Sequence, residues 1–292
     1  MRIAPLATAL IAMACTARAD TLSGEIRPKE GEVGDPLWEA GVGVAGLRFP
    51  HYRGSDQTKN YAFPAPYFVY RGDIFKADRE GARATFLHDD RVDLNLSLGA
   101  SFPVKSSDDP ARQGMPDLKP SIELGPSFDI TLWRDAGRTM KLDVRLPVRG
   151  AMTIESSPRF IGGQFYPHVN LDIRDPAGFT GWNLGMRAGP MFTDARNNRY
   201  FYEVKPEFAT ATRPAFSDTG SGYAGAQFLV ALSKRFPKFW VGGFARYDTL
   251  NGAKFEASPL VTTKRYVAAG IGISWILGES KERVPLDRGF AR

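Results

Sequence analysis

The side chains that could act as nucleophiles or bases are few. His51 stands four residues before Ser55 in the stretch HYRGSD, a spacing that could bring an imidazole base to a serine hydroxyl. His168 falls in an alternating segment, where hydrogen bonding to neighbouring strands accounts for it. The chain contains no Gly-x-Ser-x-Gly nucleophile elbow. Because His51 and Ser55 share one flexible loop, they are poorly preorganised. The sequence therefore predicts a protein that is not an enzyme.

The sequence also offers few residues that could bind a metal or a cofactor. The three histidines are scattered, and the single cysteine, Cys15, lies within the first 19 residues, so no zinc-ligand spacing is present. The acidic pairs at 89–90 and 108–109 could bind calcium weakly, but a solvated turn is the favoured interpretation. We therefore predict no metal site and no cofactor.

Charged side chains occur instead at every second position of apolar segments. In the segment KLDVRLPV, Lys141, Asp143 and Arg145 alternate with leucine and valine. A period of two is typical of a β-strand with one polar and one apolar face. Full charges of both signs on the polar face favour the wet lumen of a membrane barrel, with the apolar face toward lipid. The charges predicted to point into this lumen are Asp93, Glu123, Asp129, Lys141, Asp143, Arg145, Arg149, Asp172, Arg174 and Arg187.

These lumen charges have two alternative roles. As cross-strand ion pairs they would fill and stiffen the barrel, whereas as a pore lining they would tune a narrow channel. A barrel of about 12 strands lies between filled 8-stranded barrels and open 16-stranded porins. The sequence favours a plugged or very narrow lumen.

The alternating segments predict 12 strands, an even number. They run about 9 to 16 residues where soluble strands average about 5 to 6, and no apolar run after the first 19 residues is long enough for a membrane helix. Short and long connections alternate, except at 79–81, as in a transmembrane antiparallel up-and-down β-barrel with short periplasmic turns and long extracellular loops. The strands are placed near 38–48, 59–70, 73–78, 82–87, 91–104, 118–133, 138–149, 159–174, 179–193, 223–235, 238–248 and 264–277.

Residues 1–19 have the features of a cleaved secretory signal peptide. A short positive region at Arg2 precedes an apolar run, and Ala17-Arg18-Ala19 forms the cleavage site. A lipoprotein signal at Cys15 is disfavoured, because Ala12 stands where a leucine-like residue is expected. Cleavage lowers the net charge from +6 to +4, since it removes two arginines and no acid. Export and interspersed charges argue against a nucleic-acid partner.

The remaining chain divides into three parts. Residues 20–37 are predicted to form a periplasmic N-terminal segment, 38–277 the outer-membrane barrel, and 278–292 a periplasmic C-terminal tail. An even number of strands leaves both termini on the periplasmic side. The predicted location is the outer membrane of a Gram-negative cell, in contact with outer-membrane lipid.

One short motif occurs twice. Tyr52-Arg53-Gly54-Ser55-Asp56 is nearly repeated as Tyr70-Arg71-Gly72-Asp73, with one predicted strand between them. The first copy is therefore predicted in an outward loop and the second in a periplasmic turn, where glycine supplies the freedom for a tight reversal. The two copies cannot form one site, and the Arg-Gly-Asp is not expected to act as an adhesion tag.

The longest predicted loop, 194–222, is the predicted functional element on the outer side. It is rich in arginine and tyrosine, which are favoured in contact surfaces, and loops of this length are seldom idle. The same loop could fold inward and plug the barrel. Its candidate site residues are Asp194, Arg199, Tyr200 and Phe201.

Three stretches in this order resemble the MipA/OmpV family of MltA-interacting proteins. They are VGVAGLRFPHYRGSD at 42–56, PAPYFVYRGDIFKAD at 64–78 with a following glycine, and DARNNRYFYEV at 194–204. The similarity covers 38–277, the whole predicted barrel. One departure from such barrels is that 15 residues follow the last predicted strand, where a terminal aromatic residue is usual.

The resemblance implies a non-enzymatic outer-membrane protein. One founding member is described as a scaffold that links a murein-hydrolysing lytic transglycosylase to a murein-synthesising penicillin-binding protein. A scaffold in peptidoglycan remodelling is therefore the leading hypothesis. The alternatives are a narrow channel for small solutes and a surface protein of adhesion or stress response.

Overall fold

The computed structural model describes residues 35–71, 75–78, 81–84, 87–88, 92–137 and 139–284. β-Strands dominate this part of the chain. They are β1 Asp35–Pro36, β2 Trp38–Pro50, β3 Thr58–Arg71, β4 Phe75–Asp78, β5 Gly81–Ala84, β6 Leu87–His88, β7 Val92–Ser101, β8 Ser121–Arg134, β9 Met140–Thr153, β10 Phe160–Phe165, β11 His168–Arg174, β12 Trp182–Thr193, β13 Gly222–Arg235, β14 Phe239–Thr249, β15 Arg265–Glu279 and β16 Arg283–Val284.

Fourteen of the described strands form one antiparallel sheet. Its order is β5-β4-β3-β2-β15-β14-β13-β12-β10-β9-β8-β7-β6, and β11 also pairs with β9 and β12. β10 and β11 share one place between β9 and β12. Apart from them, strands that pair in this sheet follow each other in the chain, except that the first long strand, β2, pairs with the last, β15. At the ends of this order, β5 lies beside β7. The all-β, antiparallel up-and-down fold predicted from the alternation is confirmed.

One of the predicted strands is divided within the described part of the chain. The predicted strand 159–174 becomes β10 and β11, which lie end to end between β9 and β12. The break falls at Tyr166-Pro167, since proline has no N–H to donate to a strand ladder. The predicted strand 82–87 overlaps β5 and the first residue of β6, and residues 85–86 between them lie outside the described residues.

The two faces of the sheet are inverted relative to a soluble protein. Apolar side chains such as Val42, Val148 and Ile271 are exposed, the last by 75%, whereas Asp143 and Asp248 are buried on the opposite face. Lipid removes such an apolar band from water in outer-membrane barrels, and a polar interior is its usual counterpart there. We call the buried, charged side of the sheet the polar face.

The connections differ at the two ends of the strands. The three longest loops, 102–120, 194–221 and 250–264, lie at one end together with the loop 51–57, while the turns at 135–139, 175–181 and 236–238 lie at the other. The longest loop is not wholly irregular, as it contains helix α1, Ala195–Tyr202, and a single 3-10 turn, Pro206–Phe208. Asp194 begins the helix by accepting a hydrogen bond from the backbone N–H of Asn197 at 2.7 Å, the usual role of an N-cap aspartate.

The two ends of the described chain meet at the short-turn end. β1 and β16 form a separate two-stranded antiparallel ribbon, and the N–H of Leu37 donates to the carbonyl of Glu282 at 2.9 Å. β15 runs to Glu279, two residues past the predicted end of the barrel. No helix in the described part of the chain is long and apolar enough to cross a membrane.

Candidate functional site

The long loops pack against each other into a body that we call the loop cap. Tyr202 at the end of α1 is 4% exposed and stacks on Phe255 of the 250–264 loop, with ring centroids 3.7 Å apart and an interplanar angle of 6°. Tyr52 meets Tyr202 edge-on at 6.4 Å. The buried residues of the cap are Tyr52, Val104, Leu118, Tyr166, Met191, Tyr202, Val204, Ala224, Leu250, Ala253, Phe255 and Leu260.

The first copy of the repeated motif ties three of these loops together. The Tyr52 hydroxyl donates to the Leu260 carbonyl at 2.8 Å, and the Tyr202 hydroxyl donates to the Arg53 carbonyl at 2.9 Å. Gly54 has φ +97°, and its carbonyl accepts the backbone N–H groups of 262 and 263 at 2.8 and 3.0 Å. The motif is thus buried in the cap as a structural junction, and only its last residue, Asp56, is exposed.

Burial has a chemical consequence for these tyrosines. It raises the pKa of both Tyr52 and Tyr202 well above their ordinary value of 10.0, with a smaller contribution from Asp109 in the case of Tyr52. Both hydroxyls therefore stay protonated and keep donating their hydrogen bonds over the whole neutral range.

The histidine and serine of the first loop are brought together, but not in a catalytic geometry. Ser55 Oγ donates to Asp109 Oδ2 at 2.7 Å, and His51 Nδ1 lies 3.1 Å from the same oxygen. A serine triad requires the hydroxyl to donate to the imidazole, with the carboxylate on the far side of the ring. Here the carboxylate stands between the two groups, so it joins the 51–57 loop to the 102–120 loop.

The second copy of the motif lies at the opposite end of β3. Tyr70 and Arg71 are the last residues of that strand, and they pair with Ala77 and Lys76 of β4. A strand rises about 3.3 Å per residue, so the 14 residues of β3 place the two copies about 40 Å apart. Gly72 and Asp73 lie outside the described residues.

Three of the candidate residues of the longest loop hold α1 against β10 and the 102–120 loop. Asp194 accepts a second hydrogen bond, from the N–H of Gly163 in β10 at 2.8 Å, and the Tyr200 hydroxyl accepts the N–H of Lys119 at 2.9 Å. The carbonyl of Phe201 accepts from Arg112 at 3.1 Å, whereas Arg199 is exposed. Tyr202 lies over the polar face. This position corresponds to the alternative in which the loop folds inward.

The polar face toward the short-turn end is organised around Arg145. Its guanidinium lies 4.0 Å from Asp129, 3.5 Å from Asp143 and 3.7 Å from Asp172, and Lys141 approaches Asp143 at 3.1 Å. Asp129 and Arg145 are direct cross-strand partners in the β8–β9 register. Alternate positions on three adjacent strands therefore build one ion-pair network.

The ten predicted lumen charges are all buried or half-buried in the structure. Alternation also runs through β14, where it could have identified Arg246 and Asp248, a buried pair 2.7 Å apart. Glu39, which pairs with Arg235 at 3.2 Å, was also missed, because the next eight residues of β2 are all apolar or glycine and show no alternation of charge. The buried members of the predicted set are Glu123, Asp143, Asp172 and Arg187, and the half-buried members are Asp93, Asp129, Lys141, Arg145, Arg149 and Arg174.

A cavity of about 110 Å³ lies between the loop cap and the polar face. Strand residues from β2 around to β7 line it, and their shared cavity shows that the sheet curves around a common interior. Its polar lining includes Glu123, Arg149, Arg187 and Arg246, and its apolar lining includes aromatic rings of the cap. In the described part of the chain, no three His, Cys, Asp or Glu side chains are grouped as metal ligands would be.

Comparison with known proteins identifies the family. The model of the family described as "MltA-interacting protein MipA" matches residues 42–277. The "Outer membrane protein OmpV" of Vibrio cholerae is 25% identical over 259 residues, which cover 87% of this chain and 90% of that protein. The resemblance inferred from the three sequence stretches is confirmed.

Solved structures are similar only at a lower level. The COG4313 outer membrane channel of Pseudomonas putida F1 is 13% identical with a TM-score of 0.43, covering 87% of this chain and 100% of that chain. The outer membrane channel DcaP of Acinetobacter baumannii is 10% identical with a TM-score of 0.29, at the same two coverages. At these TM-scores the likenesses carry no argument about function. The family match and its outer-membrane relative place this protein in the outer membrane, and the chain belongs to the MipA family of MltA-interacting proteins.

Proposed function

We propose that this protein is a non-enzymatic outer-membrane β-barrel, closed between β5 and β7, that acts as a scaffold in peptidoglycan remodelling. The observation that carries the proposal is the loop cap, whose buried tyrosines fold the long loops over the polar interior. A protein built to conduct solutes freely has no need of such a packed cover. The family description names an interaction with MltA, and a lytic transglycosylase and a penicillin-binding protein are the partners proposed here.

The surface for such partners is the short-turn end, which faces the periplasm in this proposal. The turn at 175–181 is the most prominent part of it, because Phe179 is 66% exposed at its tip. In the neighbouring turn, Phe236 stacks on Phe239 with ring centroids 4.4 Å apart. Lys234 bridges the two turns by donating a hydrogen bond to the Thr180 carbonyl at 2.9 Å. An exposed aromatic residue beside a fixed cation is a common anchor in protein interfaces.

Affinity capture tests the scaffold directly. Tagged protein in native detergent should recover murein hydrolases and synthases from the envelope, and Phe179→Ala should reduce the recovery. Phe160→Ala is the matched control, since Phe160 is also an exposed phenylalanine but begins β10 at the loop-cap end. If the wild-type protein recovers no murein enzyme, the scaffold proposal is wrong. Equal losses with both variants would show that the periplasmic turn is not the contact.

The cavity favours a second candidate function, a narrow channel that the loop cap closes. Its charged lining on strands all around the sheet is the kind of surface that conducts small solutes once opened. In planar bilayers the wild-type protein should then be nearly silent, and Tyr202→Ala, which removes the central ring of the cap, should show discrete conductance steps. Silence of both proteins after verified insertion would refute the channel.

A further inference from the structure

The outward, apolar side of β2 and β15 carries two arginines near the loop cap. Arg48 in β2 and Arg265 at the start of β15 are both exposed. Arg48 follows the exposed Val44 by four positions, and Arg265 precedes the exposed Ile271 by six. Even separations in a strand keep side chains on one face. The two guanidinium groups therefore lie on the apolar side of the sheet, away from the polar face.

The acids of β2, β15 and the adjacent β14 all lie in ion pairs with other arginines. Their pairs are Glu39 and Glu279 with Arg235, at 3.2 and 3.4 Å, and Asp248 with Arg246, at 2.7 Å. In the described part of the chain, no acid lies within ion-pair distance of Arg48 or Arg265. A guanidinium is always charged, and a charge on the lipid-facing side is tolerated only near the head groups or beside a counter-ion. An anion from outside the chain is therefore the partner that both arginines can take.

The depth of the two arginines follows from the strands that carry them. Arg48 stands ten positions after Trp38 in β2, and Arg265 stands ten positions before Trp275 in β15. At about 3.3 Å per residue and a strand tilt of about 40°, ten positions span about 25 Å along the membrane normal, which is the height of the apolar band of such proteins. Tryptophan marks the membrane–water interface, so the arginines lie at the opposite interface, on the loop-cap side. Tyr247 of β14, exposed by 41% beside them, is a usual residue at this level.

The head groups at this interface offer phosphate as the anion. Arginine binds phosphate through paired N–H donors, and basic residues beside a membrane surface attract anionic lipids. Arg48 is opposite Ala269 in the β2–β15 register, four positions from Arg265, so the Cα atoms of the two arginines are about 14 Å apart on adjacent strands. Two phosphates of one head group can satisfy both arginines at this separation, whereas a single phosphate requires both side chains to bend toward each other.

We propose that Arg48 and Arg265 bind one lipid of the outer leaflet whose head group carries two phosphates. Each arginine takes one phosphate, and the acyl chains lie over Val44, Val267 and Ile271, which are exposed by 52%, 58% and 75%. The site rests on the outer-membrane location and on the outward orientation of the loop cap given under the proposed function. It goes beyond a scaffold role, because it needs neither a periplasmic partner nor conduction.

The probes for the test are diphosphoryl lipid A and its monophosphoryl form, which differ by one phosphate. Each is added to the full-length mature protein in neutral detergent, and native mass spectrometry measures the bound fraction against lipid concentration. We expect one diphosphoryl lipid per protein, with the monophosphoryl form at least 10-fold weaker. Arg48→Gln and Arg265→Gln should each weaken binding of the diphosphoryl form about 10- to 100-fold, the loss expected for one charge-assisted hydrogen bond. The variant that lacks the partner of the second phosphate should bind both forms alike.

Lys205→Gln is the matched control. It also removes one exposed positive charge at the loop-cap end, but from the 194–221 loop and not from the lipid-facing strands. It should leave lipid binding unchanged, and the heat-dependent gel mobility of each variant reports that it has folded. Absence of lipid binding, equal binding of the two forms by the wild-type protein, or equal losses in the test and control variants would each overturn the proposal. Displacement of the lipid by inorganic phosphate at the same concentration would also overturn it. Recovery of murein enzymes is measured separately, so a failed scaffold leaves these outcomes unaffected.

Discussion

The loop cap should be held closed mainly by one aromatic side chain. Tyr202→Ala removes a ring that is stacked at 3.7 Å on Phe255 and is 4% exposed. Large-to-small changes of buried aromatic residues cost roughly 3–5 kcal/mol. Tyr202→Phe keeps the ring and loses only the 2.9 Å hydrogen bond to the Arg53 carbonyl, which is worth about 1 kcal/mol.

Amide hydrogen exchange converts these energies into a measurable ratio. Because exchange of a locally opening segment follows its opening free energy, the 195–202 and 250–264 segments should exchange about 100- to 3000-fold faster in Tyr202→Ala and only about 5-fold faster in Tyr202→Phe, at about 1.4 kcal/mol per tenfold. Phe228→Ala, on the exposed apolar face, is the control and should leave the cap unchanged. If the two Tyr202 variants exchange at equal rates, the stack does not hold the cap, and the reasoning fails.

Three further predictions concern the same region. Gly54→Ala should destabilise the cap by about 1–3 kcal/mol, because φ is +97° and a Cβ would lie 2.9 Å from Leu250 Cδ1. Gly46→Ala, whose Cβ has no neighbour closer than 4.0 Å, should be neutral, and equal exchange of 250–264 in both would contradict this. Asp194→Ala should speed exchange of α1 by the equivalent of about 1–2 kcal/mol, whereas Asp194→Asn should retain the cap. Alkaline pH should open the cap. Because burial raises the pKa of Tyr52 and of Tyr202, the stability that their neutral hydroxyls give the cap is fully present below about pH 10. It is lost as the pH rises through the pKa values of the folded state. Tyrosinate absorbance that titrates completely near pH 10 in the folded protein would contradict the last prediction.

The strands were predictable because their signal is local. In a sheet with one charged face, the alternation of Lys141, Asp143 and Arg145 with leucine and valine depends only on the strand itself. The break at Pro167 could also have been read, since the missing N–H is a property of that residue. The strand boundaries moved by a few residues where pairing with a neighbour extends them, as in β9, which runs to Thr153.

The loop cap was not predictable, because its contacts join segments far apart in the chain. Asp109 belongs to an acidic pair in a turn by sequence, yet it is the common acceptor for Ser55 and His51. α1 is short and polar, so its only local signal was Asp194 at the N-cap. The role of Tyr52 as a junction depends on Leu260, 208 positions away, and no pattern within either loop encodes that distance.

The same separations determine when the cap can form. The Tyr52–Leu260 and Tyr202–Arg53 hydrogen bonds span 208 and 149 positions, and closing such distances is favourable only after the intervening strands have been placed. The cap therefore forms after β2, β12 and β15 have found their partners in the sheet. A closed cap then reports completed assembly, and a misassembled sheet exposes its aromatic residues to the proteases and chaperones that remove faulty proteins.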